Sequence, residues 1–176
     1  SAASDVYKRQ ALSKSRFKLG LECPNKVYFS NNPDIFFNQK KEDPFLEALA
    51  SGGFQVEEYA RLQYPNGKLI DAPYKDENYP FFHEETKKLL GQDEGVNYEA
   101  GFLYDHLFVR TDILQKKGNE IHLIEVKAKS YNPNDPYTFI TKTGKIDSSW
   151  KSYLFDLAFQ TYVVQKCYPK LKVIPY

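Results

Sequence analysis

Two β-branched, largely apolar runs carry three charged side chains that a simple hairpin core would not need. Val109-Arg110-Thr111-Asp112-Ile113-Leu114 holds an aspartate, and Ile121-His122-Leu123-Ile124-Glu125-Val126-Lys127 holds a Glu-x-Lys. Gly118-Asn119 between them suits a two-residue turn, because glycine supplies the positive φ such turns require. With Lys117 and Glu120 flanking that turn, Asp112 falls directly opposite Glu125, with Cβ atoms roughly 4.5–5.5 Å apart. Lys127, two residues further on, shares their face. A four-residue loop over 116–119 keeps all three together, whereas a three-residue loop does so only with a bulge. Two opposed carboxylates repel, so in a half-buried site one protonates or a cation lies between them. Carboxylate oxygens suit hard cations such as Mg²⁺ or Mn²⁺, held by one or two carboxylates plus water. The alternative is an ordinary salt bridge from Lys127 to Asp112 or Glu125 on a solvated face.

The elements that must position these groups are legible from caps, breakers and periodicity. Ser13, with Leu12 before it, caps a short helix running to Cys23-Pro24. Residues 26–29 continue it as a further helical turn or an extended piece, and 31–42 is a polar loop. Asp43-Pro44 starts a helix that Gly52-Gly53 interrupts or bends before it resumes over 54–63. Residues 68–70 read as a short strand and 79–90 as a helix ending near Gly91. Strands are expected over 96–102, 103–115 and 121–128, then a polar loop over 133–145 with a minor hairpin at Thr143-Gly144. Ser149 caps a last helix over 150–167, and 171–174 is a final strand. This order predicts an α/β domain whose mixed sheet is covered by helices on both faces.

Composition narrows the class. The 176 residues are about one domain, 41% are hydrophobic, and the formal net charge is +1, so any basic surface is local. Two cysteines, Cys23 and Cys167, lack metal-type spacing and fit a reducing, cytoplasmic compartment. No apolar run approaches the ~18 residues of a membrane span, and no apolar segment opens the chain as a signal peptide would. Asp5-Val6-Tyr7-Lys8-Arg9-Gln10 matches a translated transposase adapter, so 1–10 is expected to be foreign to the fold. The chain contains no methionine. It is therefore expected to be an environmental fragment in which 11–176 forms one domain cut short at its C-terminus.

The succession of helix with Glu, strand with Asp, Glu-x-Lys strand and helix with Gln resembles the PD-(D/E)xK nuclease superfamily, in its RecB-like branch, over most of 11–174. The Asp-bearing strand is Phe108 to Leu114, without the family's glycine. The family's (Asp/Glu)-x-Lys matches Glu125-Val126-Lys127. Its Gln-bearing helix matches Asp156-Leu157-Ala158-Phe159-Gln160-Thr161-Tyr162, with a different Gln-to-Tyr spacing. The stretch Ser13-Lys14-Ser15-Arg16-Phe17-Lys18 through Cys23-Pro24-Asn25-Lys26 is similar to the opening helix of RecB-like and CRISPR-associated exonucleases.

The resemblance implies a restriction-endonuclease-like core and Mg²⁺- or Mn²⁺-dependent hydrolysis of DNA phosphodiester bonds. Asp112, Glu125 and the Val126 carbonyl would hold the metal. Glu58, in preference to Glu57, would complete the site, with Glu99 and Asp105 as other acids. Lys127 would position water, and Gln160 would orient Lys127 or touch the phosphate backbone. Lys129, Lys142, Lys145 and Lys151, with Trp150, Tyr153 and Tyr162, would track DNA or serve as ordinary surface. His83, His106 and His122 show no metal spacing. Some relatives use an equivalent of Cys23 in a [4Fe–4S] cluster; three further cysteines are needed, so no cluster is expected and Cys23 reads as a buried apolar residue. The rival readings are a catalytically silent nucleic-acid-binding or scaffold domain, or a hydrolase of RNA or another phosphoester. A further C-terminal part of the same chain is the expected protein partner.

Overall fold

The computed structural model describes residues 11–38, 43–130 and 132–176; the adapter-like segment and the end of the polar loop over 31–42 lie outside them. The elements are β1 (Leu12–Ser13), α1 (Lys14–Glu22), α2 (Pro24–Ser30), α3 (Pro44–Leu62), β2 (Lys68–Leu69), α4 (Tyr79–Leu90), β3 (Glu94–Tyr104), β4 (Leu107–Lys117), β5 (Glu120–Ile124), α5 (Ser148–Cys167) and β6 (Lys172–Pro175). The strands form an open mixed sheet in the order β2-β3-β4-β5-β6, with β1 paired to the start of β4. The β3–β4 and β4–β5 pairs are antiparallel, while β1–β4, β2–β3 and β5–β6 are parallel. The protein is thus α/β, a mixed sheet flanked by helices.

The central hairpin adopts the register expected of a two-residue turn. Lys117 pairs with Glu120 and Ile113 with Ile124, and Gly118 takes φ of 55°, which glycine adopts without steric cost. The ladder ends at Ile124, so Glu125 and Lys127 lie just past β5 rather than inside it. The Glu125 N–H instead donates to the Tyr176 carbonyl, at the end of β6 (3.0 Å).

The long strand predicted over 103–115 is broken by a turn at Asp105-His106, which closes β3 onto β4 through the pair Tyr104–Leu107. Asp105 has φ of 53° there, a conformation aspartate tolerates better than most residues. The outer edge of β3 beyond β2 is covered by α4: the Gly101 N–H donates to Thr86 Oγ1 (2.8 Å) and the Leu103 N–H to His83 Nδ1 (3.1 Å). These side chains satisfy strand donors that would otherwise be unpaired. Phe82 and Phe108 beneath them are fully buried, and Phe108 stacks on Tyr79 with centroids 3.7 Å apart.

Two other expectations are corrected, the interruption at Gly52-Gly53 and the cap at Ser149, and one left open over 26–29 is decided. Gly52-Gly53 does not break α3, which runs unbroken over 19 residues; the Asp43 carboxylate capping Phe45 N–H and Pro44 at the first turn nucleate it, offsetting a glycine cost of ~1 kcal/mol each. Residues 26–29 are helical, within α2. The cap of α5 is Asp147, not Ser149: its Oδ1 accepts from the Ser149 N–H at 2.9 Å. The minor hairpin of the 133–145 loop is present as a bridge between Ile140 and Ile146. No described helix is long and apolar enough to cross a membrane.

Candidate metal and phosphodiester site

The sheet register lines up three carboxylates. Tyr98 pairs with Ile113 and Ala100 with Thr111, which sets Glu99 opposite Asp112. The β4–β5 register, carried one residue past Ile113–Ile124, sets Asp112 opposite Glu125. Glu99 has φ of 58°, a left-handed conformation that costs a non-glycine residue energy and persists only where its surroundings hold it. Two arginines do so. Arg61 Nη2 lies 2.9 Å from Glu99 Oε1, and Arg110 Nε lies 2.7 Å from Glu99 Oε2.

Asp112 and Glu125 meet a different set of cations. Lys14 Nζ, at the start of α1, donates to both Glu125 oxygens (3.0 and 3.2 Å) and sits 3.6 Å from Asp112 Oδ1. Lys127 bonds Glu125 Oε1 and lies 3.7 Å from Asp156 Oδ2. Gln160 Nε2 donates to Glu125 Oε2 (2.7 Å) and to Asp156 Oδ1 (3.1 Å). The Val126 N–H donates to Asp112 Oδ2 (2.8 Å). Lys18, one helical turn after Lys14, lies 3.6 Å from Asp156. Three ammonium groups, Lys14, Lys18 and Lys127, therefore face three carboxylates, Asp112, Glu125 and Asp156. Ring stacking of Phe17 on Phe159, with centroids 4.3 Å apart, docks α1 on α5 and brings the two sets together.

The hairpin residues Asp112, Glu125 and Lys127 and the helical Gln160 converge here. Glu58 does not. Its side chain is 71% exposed and bonds only Arg61 at the helix surface, whereas Glu57 is 17% exposed and turns inward beside Arg61 and Glu99. Consecutive helix positions differ by about 100° of rotation, so only one of the two can face the sheet. Even Glu57 reaches the Glu99 end of the carboxylate row rather than Glu125. Asp105 is exposed and bonds His106.

Among the surface candidates, Lys129 Nζ donates to the Ser149 carbonyl (2.8 Å) and lies 4.4 Å from the Trp150 ring and 5.3 Å from that of Tyr153. That cluster borders a cavity of about 330 Å³ lined also by Ser130, Tyr137 and Thr138. Lys151 lies over Phe155, and Lys142 over Tyr137. Tyr162 is on a separate apolar groove of about 690 Å³ with Leu154, Leu157 and Pro175, away from the Lys129 cluster. Cys23 is half-buried at the joint of α1 and α2 rather than enclosed, and Cys167, on α5, contacts the Leu103 carbonyl.

Lys14, Lys18 and Asp156 were not anticipated from sequence. The signal was present in the spacing: Lys14 and Lys18 share a face of a capped helix at i,i+4, and Asp156 precedes Gln160 by one turn.

No protein-family profile, curated protein or solved structure matches the chain. The chemistry of the site therefore rests on its own donors. Asp112 and Glu125 both turn carboxylate oxygens toward the Lys14 ammonium, which bonds Glu125 and lies 3.6 Å from Asp112 Oδ1. Among the described residues no three His, Cys, Asp or Glu side chains form a ready cage. A divalent ion held by two carboxylates, with water completing its sphere, fits this donor set and suits Mg²⁺ or Mn²⁺.

The electrostatics of the row make stability depend on pH. Burial raises Asp112 to about 6, with Lys14 opposing and Glu125 adding to the shift. Burial also raises Glu99 to about 7, reinforced by Glu57 and opposed by Arg110. For Glu125, burial is outweighed by Lys14 and Lys127, so it is held below the usual carboxylate value. The folded chain thus keeps protons on Asp112 and Glu99 that the unfolded chain releases near pH ~4. Through the window from ~4 to ~7 these two groups bind more protons in the folded state, so their contribution to stability falls as pH rises, partly opposed below ~6.5 by His83, which burial holds below the usual imidazole value. The Glu125 contribution is lost only below that window. Without divalent metal, Tm measured by circular dichroism should be higher at pH 5.5 than at pH 8; a flat or rising Tm would contradict the buried carboxylate row.

Proposed function

We propose that the protein is a metal-dependent nuclease of the RecB-like PD-(D/E)xK type, with a restriction-endonuclease-like core, hydrolysing DNA phosphodiester bonds. The observation that carries this reading is the convergence of Asp112, Glu125 and Lys127 on one cation-accepting point, with Gln160 bonded to Glu125. Mg²⁺ or Mn²⁺, when bound by Asp112, Glu125 and the Val126 carbonyl, supplies water activation and neutralises charge on the phosphate. The protein's own groups do the positioning. The Val126 N–H fixes one Asp112 oxygen, and Gln160 fixes the rotamer of Glu125. Asp156 and Glu125 hold the Lys127 ammonium beside the carboxylates, where it orients the attacking water and bears on a phosphate oxygen. Lys129 with Trp150 and Tyr153 offers charge and ring faces to a strand leaving the site. The upstream acid of the family pattern is taken by Glu57 and Glu99, through the row of carboxylates, rather than by Glu58.

The rival is a catalytically silent DNA-binding domain, favoured by one observation, the mutual neutralisation of three lysines and three acids without a metal. Two substitutions separate the readings. Wild type is expected to degrade linear DNA with Mg²⁺ or Mn²⁺ and not with EDTA. Asp112→Asn and Glu125→Gln are each expected to lower that rate at least about 100-fold. DNA binding without cleavage by wild type in either metal would favour the silent domain.

A further inference from the structure

We propose that Lys14 is a tethered counter-ion: in the metal-free protein its ammonium holds Asp112 and Glu125 together, and a divalent cation binds by displacing it. This inference rests on the metal-binding reading above. The Lys14 Nζ embraces both Glu125 oxygens and reaches Asp112 Oδ1. It thereby takes the position between the two groups that a dication sharing them would need. A dication and the Lys14 ammonium at the same point between the two carboxylates repel strongly, whereas Lys127 meets Glu125 alone of the pair and has Asp156 on its other side. The dication or Lys14 must leave, and the mobile one is the lysine.

The geometry lets Lys14 leave without undocking its helix. Residues on either side fasten α1 independently. Leu12 N–H donates to the His106 carbonyl (2.6 Å), and β1 pairs with β4. Arg16 Nη1 donates to the Ala11 carbonyl (2.9 Å) and to Asp76 Oδ2 (2.7 Å). Phe17 stacks on Phe159, and Lys18 faces Asp156. Release is therefore a rotation of one flexible four-carbon stem, which regains rotamer freedom as it goes. Lys127 differs in this respect. It shares Glu125 with Lys14 but is also held by buried Asp156, so it stays when the pair is taken over. The lysine set thus divides into Lys14, whose ion pairs are with Asp112 and Glu125, and Lys18 and Lys127, each of which has Asp156 as an ion-pair partner.

The function of such a device is to keep the site assembled yet weak for metal. The bound ammonium offsets carboxylate repulsion when no metal is present, and its loss is a cost that every incoming ion must meet.

Mn²⁺ binding, read from the electron paramagnetic resonance of the free ion, tests this on the full chain. Lys14→Met is expected to bind Mn²⁺ about 10- to 100-fold tighter than wild type, the equivalent of releasing one charge-assisted hydrogen-bond pair. Its metal-free Tm should fall below that of wild type and recover at saturating Mn²⁺. Equal or weaker binding by Lys14→Met, with binding lost in Glu125→Gln, overturns the displacement and leaves the metal site standing. Absence of Mn²⁺ binding in both wild type and Lys14→Met overturns both. Should Lys14→Met fail to fold without metal, the side-chain ammonium resonances of ¹⁵N-lysine wild type give the same answer. Mg²⁺ should render Lys14 mobile while Lys18 stays restrained, and a Lys14 that remains restrained at saturating Mg²⁺ overturns the proposal.

Discussion

Lys127→Ala is expected to reduce metal-dependent cleavage of linear DNA by about 10²–10³-fold, with DNA binding retained and Tm lowered by no more than a few degrees. The size of the first effect follows from the placement of the ammonium. It is partly buried, at 26% exposure, and is held by Glu125 and Asp156, so under the proposed function its charge would act on a phosphate oxygen through a poorly screened path. The smallness of the second follows from redundancy. Glu125 keeps Lys14 and Gln160 as partners, and Asp156 keeps Lys18 and Gln160. Neither carboxylate is left as an isolated buried charge, the situation that makes broken ion pairs costly. Single-turnover rates on linear DNA with Mg²⁺, beside a thermal melt of the same samples, separate the two effects. Equal rates for wild type and Lys127→Ala would remove the lysine from the chemistry.

Phe108→Ala should be the most damaging single change to the scaffold, at about 3–5 kcal/mol. That is a large share of the ~5–15 kcal/mol that holds a domain folded. Phe108 is fully buried, stacks on Tyr79 and touches Phe82 and Tyr74. It therefore joins β4 to α4, the helix that covers the edge of β3. Truncation leaves a cavity under three rings, two of them on α4, which the Thr86 and His83 side chains tie to β3, so collapse around it is limited. Chemical denaturation read by far-ultraviolet dichroism gives the difference directly. A loss under about 1 kcal/mol would show that the aromatic joint is dispensable.

What could be read from sequence follows the range of the interactions. The Asp112–Glu125 register was legible because it depends only on the turn at Gly118-Asn119, a few residues from either partner. The choice between Glu57 and Glu58 was not. No residue of α3 is buried, so its apolar periodicity carries no information about which side meets the sheet. Arg61 decides it, by bonding Glu99, 38 residues away. The contribution of Glu99 depends on a left-handed backbone that no propensity assigns to glutamate. Lys14 escaped because its partner lies 111 residues further on. The α5 cap moved from Ser149 to Asp147 because several capping types stand together there, and a serine and an aspartate two residues apart compete for the same N–H groups.

The same separations imply an order of assembly. The contact between Asp112 and the Val126 amide closes only 14 residues, that between Glu125 and Gln160 closes 35, and that between Lys14 and Glu125 closes 111. Loop-closure entropy rises with each, and contacts of high sequence separation are the slow ones to form. The hairpin can therefore bring its carboxylates together early, with Lys127 beside Glu125, while the Lys14 ammonium reaches them only when α1 docks. During synthesis that helix emerges before the hairpin it serves and must wait for it. Docking of α1 is then the step that completes the set of cations around Asp112 and Glu125.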